Sequence, residues 1–149
     1  MQNLDLLVTT LLGNEWAVQI ETAGTRHCSL PESPHLDIVC SPKTTSIHPL
    51  VLPRVTAWKY LIRCGDDFDA SDGLPVSQTQ GQERAGDQTP MNAPKVPMCK
   101  PTPYVPVFLQ PVEEPLAEDT QANIAETVTR SLTYGHRLSL QQHKILGLR

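Results

Sequence analysis
Four aspartates in eight residues, DDFDASDG at 66–73, come closest in this sequence to a ligand cluster for a hard cation. A helix–loop–helix calcium site needs oxygen ligands at loop positions 1, 3 and 5, glycine at 6 and a bidentate glutamate at 12. Counting from Asp67 puts Asp72 at position 6 and Gln78 at position 12. Counting so that Gly73 takes position 6 puts Phe68, which cannot ligate, at position 1. Both registers fail, and the stretch reads as a solvated acidic turn.

A second set, His27, Cys28, His35, Cys40 and His48, has the donor types zinc prefers. Structural zinc sites rest on closely spaced pairs, because one tight knuckle then fixes two ligands at once. Here eleven residues separate the two cysteines. The set reads as buried strand thiols and surface histidines. Cys28, Cys40, Cys64 and Cys99 are expected to be reduced thiols, since the amino terminus lacks the basic flank and small-residue cleavage site of a secretory leader. No G-x-S-x-G, Walker glycine loop or H-E-x-x-H occurs. No catalytic, metal or cofactor residue is therefore nominated, and the sequence reads as non-enzymatic.

The residues with the most legible binding chemistry are prolines. Eight of fourteen lie between Pro90 and Pro115, and within that stretch Lys100, Pro103 and Pro106 form K-x-x-P-x-x-P. A polyproline II helix repeats every three residues, so this spacing puts both prolines on one edge with the lysine in line, as a polyproline-reading domain requires. A stiff spacer has the same composition. A second contact face is expected from Ile124, Val128 and Leu132, spaced to share one side of a helix.

The elements that would position these residues are uneven. With 39% hydrophobic residues and seven aromatics, the 149-residue chain has less apolar material than a fully compact body of its length uses. Leu4, Leu7, Val8, Leu11 and Leu12 fit a short helix capped by Asn3 and ended by Gly13. Trp16, Val18 and Ile20 alternate as a strand, and the TAGT at 22–25 could turn it into a hairpin with 26–30. Leu36, Ile38 and Cys40 alternate again, and the run from Val55 to Cys64 is assigned to a strand. Residues 1–64 thus form a small α+β unit.

Residues 65–118, poor in Leu, Ile and aromatics, are expected to be a disordered proline-rich linker. Residues 119–149 are expected to form an amphipathic helical segment, with a first helix from Asp119 or Thr120 to Gly135 and a second opened by Ser139 and Gln142. The functional reading is an adaptor that binds a protein partner through the proline segment and the carboxyl-terminal helix. The rival is a nucleic-acid binder using a stripe of Arg130, Arg137 and Lys144. A net charge of −4 argues against global attraction to nucleic acid or anionic lipid. An intracellular location, cytoplasmic or nuclear, completes the expectation.

Overall fold
The computed structural model describes residues 4–27, 29–79 and 95–141. Its elements are α1 (Asp5–Gly13), β1 (Val18–Thr22), β2 (Leu36–Cys40), β3 (Ala57–Ile62), β4 (Ser77–Thr79), β5 (Lys95–Pro97), β6 (Val107–Pro111), α2 (Ala117–Tyr134) and β7 (Arg137–Leu138), with a 3-10 turn at Leu52–Arg54. Five strands form one sheet in the order β1-β2-β3-β6-β7, and β4 pairs with β5. Pairing is parallel from β1 to β2, from β2 to β3 and from β6 to β7. This is an α/β fold. Two compact units divide the chain, Met1–Lys59 with Pro97–Pro106 and Tyr60–Val96 with Val107–Arg149.

In the first unit, α1 buries Val8, which packs with Leu36 and Ile38 and with the half-buried Leu4, Leu12, Val18, Ile20 and Leu30. Leu7, expected on that face, is 55% exposed. Asn3 lies outside the described residues. The expected α+β hairpin is corrected to a parallel pair, in which Val18 stands beside Leu36 and Thr22 beside Cys40. Parallel strands need a long crossover, and the chain supplies one in 23–35. The crossover starts at Gly24, in the left-handed region at φ 72. A Cβ there would sit 2.8 Å from Ile47 Cγ2 and 2.9 Å from Cys40 Sγ, so glycine is required for the turn to close against the strand ends.

The expectation of a disordered proline-rich middle is also corrected; its residues 80–94 lie outside the described residues. Around 99–106 composition misled because the stretch is held by partners elsewhere in the chain. The fully buried Trp58 donates its backbone N–H to Pro106 O (2.9 Å) and its indole Nε1–H to Thr102 Oγ1 (3.2 Å). The Cys99 N–H reaches Thr44 O at 2.9 Å.

In the second unit, α2 packs against β6, whose Leu109 is fully buried. The helix ends at Gly135, left-handed at φ 73, as the sequence predicts. The chain then enters β7, with Phe108 beside Arg137 and Leu109 beside Leu138. The second carboxyl-terminal helix, which the sequence opens at Ser139 and Gln142, falls outside the described residues from 142 onward. No helix among the described residues is long and apolar enough to cross a membrane.

Candidate functional site
Parallel sheets are usually apolar on both faces, because helices cover both. In the first unit one face follows that rule, whereas the other mixes the buried Val39 and Ala57 with polar side chains. Successive side chains of a strand point to opposite sides, so with Val18, Ile20, Leu36 and Ile38 packed toward α1, Gln19, Glu21 and Asp37 face the other way. All three are exposed. Val39 stands beside both Glu21 and Ala57, and Lys59, two residues on from Ala57, therefore belongs to the same polar face. Lys59 Nζ forms an ion pair with Glu21 Oε2; the Lys59 side chain is 12% exposed and that of Glu21 52%. Ser41, just past β2, donates Oγ–H to the Lys59 carbonyl at 3.0 Å. The result is a fixed cation beside a half-open carboxylate on a sheet face, where a ligand could reach both.

On the α1 side of this unit lies an apolar cleft of about 110 Å³, lined in part by Leu4, Ile20, Leu30, Ile38 and Val51. Small-molecule sites usually occupy about 300–1,000 Å³, so this space is too small for a drug-sized ligand. Arg54 at its rim is committed to structure, donating to the carbonyls of Leu30 (3.0 Å) and Pro31 (2.7 Å).

In the second unit the aspartate-rich stretch is a closed turn. Asp69 Oδ1 accepts from the Ser71 N–H and Oγ–H, Asp72 Oδ1 accepts from the Leu74 N–H, and Leu74 is fully buried. Part of the carboxylate capacity is thus used on the turn's own backbone. The carboxyl end of α2 grips this turn. Arg130, 3% exposed, pairs Nε with Glu126 Oε1 at 2.7 Å, points its other nitrogens at the carbonyls of Gly73 and Asp66, and lies 4.2 Å over the Phe68 ring. His136 Nε2 lies 2.6 Å from Asp72 O. Gly73, at φ 70, leaves room for Tyr134, whose Cδ2 would be 2.2 Å from a Cβ there.

Lys100 and Pro103 are exposed in the first unit, and Pro106 is half-buried, its carbonyl held by Trp58. Ile124 and Val128 are half-buried in the second unit and Leu132 is 81% exposed. The proposed basic stripe fails at Arg130, which is buried, while Lys144 lies outside the described residues. Of the zinc-type donors, His27 and His48 stack at 5.6 Å, Cys40 is buried, His35 is exposed and Cys28 is outside the described residues. Among the described residues no group of three or more His, Cys, Asp or Glu could hold a metal ion. Sequence reasoning passed over Glu21 and Lys59. The signal was a lysine inside the otherwise apolar AWKYLI and a glutamate alternating with Ile20.

No family model matches the chain, and no solved structure matches it significantly. Two curated proteins do. The 7-carboxy-7-deazaguanine synthase of Rhodospirillum rubrum is 40% identical over 154 residues, covering 99% of this chain and 60% of that protein. The enzyme of the same name from Rickettsia prowazekii is 30% identical over 153 residues, covering 99% of this chain and 54% of its own length. The chain thus spans somewhat over half the length of the curated relatives it matches. These likenesses overturn the adaptor expectation and its nucleic-acid rival, because nearly every residue, the proline-rich stretch included, aligns with proteins that bear an enzyme's name.

Proposed function
We propose that this chain contributes a ligand-facing part of an enzyme that forms 7-carboxy-7-deazaguanine. The observation that carries the reading is the 40% identity to the Rhodospirillum rubrum synthase along 99% of the chain. The polar sheet face of the first unit suits the chemistry of that product, a flat bicycle with a guanine edge and a carboxylate. A guanine edge offers N–H donors, which a carboxylate accepts. Glu21 supplies one, oriented through Oε2 by Lys59 and, among the described residues, with Oε1 bonded to nothing. Lys59 adds positive charge at low exposure, where screening by solvent is reduced. The lysine's role in this reading is to hold Glu21 in place and to offset the charge of an anionic ligand.

The test replaces the matched portion of the Rhodospirillum rubrum synthase with this chain and follows formation of 7-carboxy-7-deazaguanine by mass spectrometry. The chimera is expected to make product. Glu21→Gln, which keeps the shape and removes the charge, is expected to cost about 10- to 100-fold in turnover, the scale of one lost charge-assisted hydrogen bond. An active chimera indifferent to Glu21→Gln and to Lys59→Met would remove this face from the reaction.

A further inference from the structure
We propose that the free edge of β1, with the open apolar margin of α1 beside it, is the seam along which the rest of a synthase sheet joins the first unit. The occupant is a parallel strand flanked by apolar side chains, drawn from the portion of the relatives that this chain does not match. That portion is large, since the match covers 60% of the Rhodospirillum rubrum protein and 54% of the Rickettsia prowazekii one. The inference rests on the likeness to those enzymes and not on the ligand assigned to the polar face.

The main chain of β1 is used on one side. The Val18 N–H donates to His35 O and the Ser41 N–H to Thr22 O, both at 2.8 Å. Main-chain groups alternate along a strand as side chains do, so Val18, Ile20 and Thr22 serve β2. Gln19 and Glu21 then turn their N–H and C=O groups outward. β1 stands first in the five-strand order, and among the described residues no strand lies beyond it. Its sequence, VQIET, has neither the proline nor the lysine that often blunt a free edge. Such an edge is a template for one more strand.

The helix beside it carries a matching open surface. In parallel sheets a crossover helix covers adjacent strands, and α1 enters β1 through 14–17 alone. The apolar stripe of α1 is centred on Leu4 and Val8, with Leu12 and Leu7 at its two margins. Leu12 packs in the cluster that holds Leu36 and Ile38 of β2. Leu7, at the margin away from that cluster, is 55% exposed, and Leu11, one turn on, is half-buried. Trp16, 64% exposed, continues the patch past the helix end, where its N–H donates to Leu11 O at 3.1 Å. An open strand edge and an uncovered apolar margin on the same element pair are what a further strand with its own apolar residues would cover together.

The experiment is residue-resolved amide exchange on this chain alone and on the chimera described above. In the chain alone, Gln19 and Glu21 should exchange freely while Ile20 is protected. In the chimera both should slow by about 100-fold or more, as strand pairing moves them from a free edge into a ladder. Leu7→Lys should undo about tenfold of that protection in the chimera, the scale of one leucine's lost burial, and leave the urea midpoint of the chain alone unchanged. Circular dichroism confirms folding. A fusion that does not fold is replaced by co-expression of the two portions as separate polypeptides, with exchange measured on the copurified complex. Unchanged exchange at Gln19 and Glu21, or portions that do not copurify, overturns the proposal. So does protection already present in the chain alone where it sediments as a dimer, which would give the edge to a second copy. A chimera with the edge protected and no product formed leaves this seam standing and sinks the deazapurine reading.

Discussion

The two helices bury opposite kinds of surface. In the first unit α1 covers the strands with Val8 and Leu12, joined by Leu4 just before the helix. In the second unit the residues that α2 buries are Asn123, Thr127, Arg130 and Ser131, while Leu132 is left 81% exposed. The difference follows from what each helix covers. Beneath α1 are the side chains of Leu36 and Ile38, which take apolar partners. Two of the groups that α2 buries, Asn123 and Arg130, meet main-chain atoms outside the helix: the Cys64 N–H, the Val112 carbonyl and the carbonyls of Asp66 and Gly73, while Thr127 bonds the Asn123 carbonyl of its own helix. Buried backbone groups must be paired, so the helix that covers them has to be polar on its inner side. α1 acts as a lid on strands, α2 as a clamp on loop backbone.

If that contrast is right, the largest loss should come from the clamp's cation. Arg130→Ala removes the pairing with Glu126, two carbonyl contacts and the Phe68 ring contact together. Losing one partner of a buried pair costs about 3–5 kcal/mol, and the lower end applies because the Glu126 side chain is 29% exposed and can rehydrate. Urea unfolding of the variant measures it. A loss under about 1 kcal/mol, the scale of a surface ion pair, would mean that α2 holds the turn by other means, and the comparison would fail.

Asn123→Ala comes next. Its Oδ1 accepts from the Cys64 N–H at 2.7 Å and its Nδ2 donates to Val112 O at 2.9 Å, so one truncation leaves two main-chain groups without their partner. About 2 kcal/mol is expected, in the range for buried groups left unsatisfied. The location of the effect sharpens the comparison: amide exchange at Cys64 should accelerate more than exchange along β1 and β2. Uniform acceleration would instead indicate loss of global stability alone.

The same contrast explains what could be read from the sequence. The α1 helix, the strands at Val18, Leu36 and Ala57, and the end of α2 at Gly135 follow from periodicity and glycine placement, which are local properties. Parallel pairing does not, because Thr22–Thr25 resembles a turn whether the next strand returns antiparallel or crosses over. The order around Thr102 and Pro106 was hidden because it depends on Trp58, more than forty positions away in the chain. The polar inner side of α2 is not legible in the sequence, because Asn123 and Arg130 are buried against main-chain groups that only the fold brings to them. Of the candidate site, Lys59 and Glu21 were visible as residue types, but their shared face depends on a register that only the fold supplies.

The smallest effect tests the apolar side of the comparison. Cys40 is fully buried, its pKa pushed up to about 12 by burial and then by the neighbouring Cys99 thiol. Burial also raises the Cys99 thiol from its ordinary value. An unfolded thiol titrates near ~8.5, so below that pH Cys40 is neutral in both states and its contribution to stability is fully present. As pH rises further, the unfolded chain releases the proton and the folded one keeps it. Stability must then fall, by at most about 1.4 kcal/mol per pH unit from this group, until pH passes the folded value. Urea unfolding at a series of pH values between about 8 and 10 should show this decline in the parent, and Cys40→Ala should remove Cys40's share of it. Tyrosine and lysine titrate in the same window, so the difference between parent and variant, taken pH by pH, isolates the thiol. A difference that stays constant with pH would mean that Cys40 reaches water in the folded state, and that the region under the Gly24 turn is less sealed than its close contacts require.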